Sequence, residues 1–158
     1  MKIITREVID QLSLEASRSD RLRKNLNMHD DYADPCQRLF IAMEPGTYIR
    51  PHRHTDPPKP ECFMAVRGRM VLLVFEDNGE VREVVPFGVG CETLAIDLPA
   101  GEWHSILVLE PQSVFFETKP GPYLAISDKD FAPWAPEEDS AEVVQYLAAL
   151  NKVVSARC

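Results

Sequence analysis

Three of the four histidines in this chain, His52, His54 and His104, fall within one two-part spacing pattern. Its first half is Gly46, then His52-Arg53-His54, Glu61 and Gly68, and its second is Pro99-Ala100-Gly101-Glu102-Trp103-His104. Residues two apart in a β-strand point to the same face, so His52 and His54 can present two imidazoles to one ion. His104 would add a third nitrogen and Glu61 a carboxylate oxygen. That mixed set suits one divalent first-row metal ion per chain, Fe, Mn, Co, Ni or an N/O-bound Zn, better than a thiolate-bound zinc. A single strand histidine is commonly a partly buried residue hydrogen-bonded to a neighbour, but that reading must place three of the four in the pattern by accident. Glu61 has a second role open to it: the long spacing from His54 lets it serve beside a ligand, or as a catalytic base.

Other residues offer recognition chemistry. Tyr48 and Arg50 share parity with His52 and His54 and are expected to point inward, Arg50 either holding an anionic substrate or pairing with a buried carboxylate. Arg21, Arg23, Asn25, Asn27 and His29 occupy alternate positions, a row of donors suited to carboxylate, phosphate or sugar hydroxyls, or else a solvated outer face. His29 is also a candidate base. Lys59 lies in a loop at 55–60 that holds Pro57, Pro58 and Pro60; it forms either a stiff lip of the site carrying a substrate contact, or a tolerated insertion.

These residues must be positioned by a largely β framework. Val8, Ile9, Leu12 and Ala16 recur at helical spacing within 5–17, and the period changes to two over 21–29. Short apolar or alternating runs follow at 36–43, 47–54, 61–67, 69–76, 81–85, 92–98, 103–109 and 114–119, with turn chemistry between them, as at Asp77-Asn78-Gly79. Many strands without interleaved helices imply a sandwich or barrel. Beyond Tyr123 a proline-rich stretch reads as irregular. Asp139 or Ser140 then caps a last helix whose Val143, Leu147, Leu150 and Val154 form an apolar stripe, facing the barrel or a second subunit.

The chain of 158 residues reads as one domain: a helical segment at 1–19, a β-barrel at 20–123, and a closing segment with its helix at 124–158. Seventeen basic against 25 acidic residues, a net charge of -8, argue against nucleic acid as a partner. The charged N-terminus and short apolar runs lead to the expectation of a cytoplasmic protein with no membrane partner. Cys36, Cys62, Cys91 and Cys158 lack CxxC spacing and are expected to be reduced and mostly buried. Barrels of this kind expose sheet edges that natural proteins cover, so a homodimer is expected, the alternative being a monomer capped by its own helices.

The two-part pattern resembles the motifs of the cupin superfamily: a glycine, an HxH pair, a glutamate and a glycine, then PxGxxH. Three further stretches, Arg50-Pro51-His52-Arg53-His54-Thr55-Asp56-Pro57-Pro58-Lys59, Phe116-Glu117-Thr118-Lys119-Pro120-Gly121-Pro122-Tyr123 and Asp128-Lys129-Asp130-Phe131-Ala132-Pro133-Trp134-Ala135-Pro136, are similar to the WbuC family of cupin-fold metalloproteins. The likeness spans roughly residues 20 to 137. Two features depart from the usual cupin pattern: the longer His54 to Glu61 spacing, and Val108 where Asn is common. The resemblance implies an all-β double-stranded β-helix, a jelly-roll barrel flanked here by an N-terminal and a C-terminal helix, with an ion on its inner wall. It also implies a carbohydrate derivative linked to O-antigen or polysaccharide synthesis as the small polar substrate, while the site residues themselves suit a metal-dependent enzyme, isomerase- or epimerase-like if Glu61 or His29 serves as the base. An iron(II) dioxygenase and a non-catalytic sugar- or metabolite-binding protein are the alternatives.

Overall fold

The computed structural model describes residues 1–124 and 129–157; residues 125–128, with Asp128 of the third resembling stretch, and Cys158 lie outside it. Helix α1, Arg6–Ser17, starts where the Thr5 hydroxyl accepts from the Val8 N–H, and it buries Ile9, Leu12 and Ala16. Ten strands follow among the described residues: β1 Arg23–Asn27, β2 Cys36–Met43, β3 His52–Arg53, β4 Glu61–Arg67, β5 Arg69–Phe75, β6 Val81–Gly88, β7 Ala95–Leu98, β8 Trp103–Val108, β9 Ser113–Pro120 and β10 Asp130–Phe131, before helix α2, Val143–Arg157. They form two antiparallel five-stranded sheets, ordered β1-β2-β9-β4-β7 and β10-β3-β8-β5-β6.

Alternation decides what each sheet buries. The inner faces meet in a core of Leu39, Ile41, Met43, Phe63, Met70, Leu72, Val74, Phe87, Ile106 and Phe115. The outer face of the β5-β8 region is covered by α2 and the segment before it, through Val71, Leu73, Phe75, Trp103, Ala132, Leu150 and Val154. The α2 stripe therefore packs on its own barrel. On the other sheet, α1 packs over Ala42 and Val114, with Leu26 and Phe40 beside them. The jelly-roll barrel with a helix at each end matches the expected fold class.

Several elements differ from the sequence-based expectation. The strand expected over 47–54 is paired only at His52–Arg53, and the fully buried Pro51, which has no N–H to give a ladder, stands just before it. The 21–29 strand shortens to Arg23–Asn27, preceded by Leu22 at a positive φ of 53°. The stretch expected to be irregular contributes β10, which pairs Phe131 with His52. Of the cysteines, Cys36 is exposed and Cys62 and Cys91 are half-buried, all three unpaired, so the expectation of mostly buried thiols does not hold for them.

Gly68 turns the chain from β4 into β5 at φ +68°, and a Cβ there would run into the side chain and backbone of the buried Ser113. Gly68→Ala is expected to cost about 2 to 4 kcal/mol, left-handed strain and overpacking together. A lowered denaturant midpoint with an unchanged slope would show it.

Candidate metal centre

The four side chains of the sequence pattern meet between the sheets. His52 on β3 lies directly across from His104 on β8, and Glu61 opens β4 of the opposite sheet. Inward parity carries Glu61 with Phe63 and His104 with Ile106, while Cys62 takes the other face of β4. All four are buried, none more than 4% exposed, and one ligand atom from each lies within 4.8 Å of the others. An ion with bonds of about 2.0–2.2 Å spans such a set with sub-ångström closure.

Protons on the rings decide whether the donors fit an ion. His52 Nδ1 lies 3.0 Å from the Arg50 carbonyl, and His104 Nδ1 lies 2.9 Å from the Glu102 carbonyl. A carbonyl only accepts, so Nδ1 carries the hydrogen and Nε2 keeps its lone pair. His104 Nε2 then faces a Glu61 carboxylate oxygen at 2.9 Å, and the other oxygen is 3.3 Å from His54 Nε2. Two acceptors at that separation require a shared cation, either a proton or a metal ion. The arrangement, with backbone carbonyls fixing the tautomer from behind, fits a divalent ion.

The charges around the ligands favour the ligating forms. Burial, then the positive charge of Lys129, hold His52 well below the ordinary imidazole range, against the attraction of Glu61. Burial alone would raise Glu61, but contacts from His104 and His54 and the charge of Lys119 outweigh it and hold the carboxyl well below 4.5. The inward row Gln37, Lys119, Glu61 runs across β2, β9 and β4, and Lys119 Nζ bonds Glu61 and Glu117, each at 3.2 Å.

A cavity of about 750 Å³ opens beside the centre, with His52, Glu61 and His104 in its wall and Phe63, Phe115 and Phe131 among its apolar lining. The register pairs Arg23, Asn25 and Asn27 with Met43, Ile41 and Leu39, which belong to the inner core, so the odd face of β1 looks the same way. Arg23, Asn25, Asn27 and His29 all line the cavity. Arg23 is held by both oxygens of Glu138, at 2.7 Å each, and donates to the Tyr48 carbonyl.

Tyr48, Arg50 and Lys59 are not among the cavity-lining residues. The Tyr48 hydroxyl donates to the Pro136 carbonyl, Arg50 to that of Ala132, with Glu137 3.8 Å away, and Lys59 Nζ to that of Pro122. With 47–51 outside any ladder, strand parity does not aim Tyr48 and Arg50 at the centre. Sequence reasoning passes over Gln37, Glu117, Lys119 and Lys129, which do line the cavity. Glu117 and Lys119 share parity with Phe115, and charges on the apolar-facing side of a strand are the available signal.

The family model described as Domain of unknown function (DUF6016) matches residues 4–87, just over half of the chain. No curated protein matches. Among solved structures, TT1209 from Thermus thermophilus is 16% identical at a TM-score of 0.54, covering 76% of this chain and 97% of that one. A cupin 2 domain-containing protein from Halorhodospira halophila is 18% identical at 0.50, covering 86% and 82%. Oxalate decarboxylase from Bacillus subtilis is 15% identical at 0.52, covering 69% of this chain but only 27% of that longer one. At these identities the common property is the fold, and it is that of the cupins. No helix among the described residues is long and apolar enough to cross a membrane. The chain thus belongs to the DUF6016 family, whose matched segment here forms the first part of a cupin barrel with a buried three-histidine, one-glutamate cluster.

Proposed function

We propose that the protein is a divalent-metal-dependent enzyme acting on a small polar substrate in the barrel cavity. The observation that carries this reading is the His52, His54, Glu61 and His104 cluster, with the Nε2 lone pairs of His52 and His104 left open by their Nδ1 contacts, beside a cavity lined by polar side chains. A bound ion would supply Lewis acidity, polarising a substrate oxygen or activating water. The chain's own residues do the rest. Lys119 anchors Glu61, Phe63 and Phe131 limit water around the imidazoles, and Asn25 and Asn27 offer donors to a substrate entering over β1, with Arg23 held beside them by Glu138. Mn(II) centres are described for oxalate decarboxylase of Bacillus subtilis, which supports Mn as one candidate metal. The likeness of 50–59, 116–123 and 128–136 to WbuC proteins supports a carbohydrate derivative as the substrate class.

The test is to identify what the purified protein retains by native mass spectrometry, then to follow that molecule by NMR with metal-loaded and chelator-stripped protein. A hydroxylated or carboxylated molecule altered only by the metal-loaded form is expected. Alteration indifferent to the chelator, or retention of an apolar molecule, contradicts the reading. Oxygen uptake with iron would move it to a dioxygenase.

We also propose a homodimer. Strand β7 is a sheet edge, and Met64, Val66 and Leu94 expose apolar surface on and beside its partner β4. Light scattering at micromolar concentration should report a two-chain mass, and a single-chain mass would refute it.

A further inference from the structure

The chain is acidic overall, at -8, yet the cavity reverses that sign. Five cationic side chains line it, Arg21, Arg23, Lys24, Lys119 and Lys129, against the carboxylates of Glu61, Glu117 and Glu138. Those carboxylates already face cations: Glu138 faces Arg23 and Arg21, and Glu117 and Glu61 face Lys119. A divalent ion on Glu61 would add further positive charge. A cavity of one sign inside a protein of the other focuses the field on ligands of opposite charge.

Two groups in this lining stand without a partner among the described residues. Lys129 is half-buried and, among the described residues, makes no ion pair or hydrogen bond; burial and then the charge of Lys119 press its pKa down. His29 is 5% exposed, and its Nε2 is buried with no partner. Its Nδ1 lies 3.0 Å from both the nitrogen and the oxygen of Arg38, but that carbonyl already accepts from the Met28 N–H at 2.8 Å, whereas the Arg38 N–H donates to Nδ1. Nδ1 is therefore the acceptor and Nε2 carries the hydrogen. His29 is the opposite tautomer to His52 and His104: a fixed N–H donor with no lone pair at Nε2 to act as a base.

We infer that the cavity takes a substrate bearing a carboxylate, received by the Lys129 ammonium and the His29 Nε2–H. One ammonium and one neutral donor match a singly charged group with two acceptor oxygens. A phosphate dianion asks for an arginine fork or a nest of backbone N–H groups, and the forks of Arg21 and Arg23 are taken by Glu138. The inference rests on the proposed function for the substrate's approach to the metal centre, but the carboxylate subsite itself does not depend on the ion.

Calorimetric titration of the metal-loaded protein with glycolate, malonate, succinate and glutarate, and with their neutral amides, at fixed ionic strength, tests it. At least one carboxylate should bind while its amide does not. In proteins loaded to the same metal content, Lys129→Gln should weaken that binding by about tenfold to a hundredfold, and His29→Phe by about tenfold. Amides binding as well as acids, no carboxylate binding, wild-type affinity in Lys129→Gln, or inorganic phosphate binding more tightly than every carboxylate would each overturn it. The wild-type protein stripped with chelator should still distinguish acid from amide. A protein that never holds metal but keeps that distinction would sink the proposed function and leave the subsite standing.

Discussion

His104→Ala and His52→Ala proteins are each expected to lose divalent-metal affinity by more than about a hundredfold, since even removing partners that only orient a ligand costs ten- to a hundredfold. The two rings face each other across β3 and β8 with centroids 4.4 Å apart, so neither can substitute for the other's position. Cys62→Ser should keep the full metal content, because Cys62 occupies the opposite face of β4 from Glu61. Elemental analysis with chelator competition checks all three. Wild-type occupancy in either histidine variant, or loss of metal in Cys62→Ser, would show that the cluster is not the site. Because the ligands span both sheets, wild-type protein should also melt lower after chelation, by an amount set by ion concentration over its dissociation constant.

Glu61→Leu is the second large effect, and it reaches beyond the metal. The Glu61 carboxylate is 3.2 Å from Lys119 Nζ in the interior, and removing it takes away one of the two carboxylates that this ammonium meets among the described residues, the other being Glu117, also at 3.2 Å. Breaking a buried pair by deleting one partner costs about 3 to 5 kcal/mol, and the surviving Glu117 contact puts this case near the lower end. Replacing Glu61 and Lys119 together by apolar residues should restore much of that stability without restoring metal. Denaturant unfolding of both variants without added metal separates the two roles. A Glu61→Leu protein as stable as wild type would show that Lys119 does not depend on Glu61.

The same groups set the acid response of the metal-free protein. His52 is lowered below 6.5 and Glu61 below 4.5, so the unfolded chain takes up these protons more readily than the folded one. Stability should be level in this respect above about pH 6.5, decline as pH falls through the range where His52 charges in the unfolded chain, and decline further below 4.5 as Glu61 protonates. Proton competition with the metal at His52 and Glu61 in the folded protein should set in at lower pH than this decline, because both are held well below their ordinary values there. Unfolding midpoints that rise on acidification below pH 6.5 would contradict these signs.

The metal cluster is legible in the sequence because strand parity and motif spacing act over a few residues: His52, His54 and the inward run of Trp103–Val108 need only local alternation to be placed. The β-barrel and both helices are legible for the same reason. Parity fails at Tyr48 and Arg50, where it presupposes a continuous strand through Pro51. The Lys119 and Lys129 charges beside the ligands are not legible either. They depend on β9 lying between β2 and β4, and on β10 pairing with β3, pairings made between residues tens of positions apart. The tautomer of His29, which lies past the end of β1, likewise follows from the backbone of Arg38, nine residues on and in β2.

X-ray absorption at the metal edge of protein purified without added metal tests the central claim most directly. A first coordination shell of nitrogen and oxygen at about 2.0–2.2 Å is expected, with the outer-shell scattering of three imidazoles and no sulfur, all lost in His104→Ala. Sulfur in the first shell, fewer imidazoles in the wild-type protein, or a spectrum unchanged by His104→Ala would contradict the assignment of His52, His54, Glu61 and His104 as the metal centre.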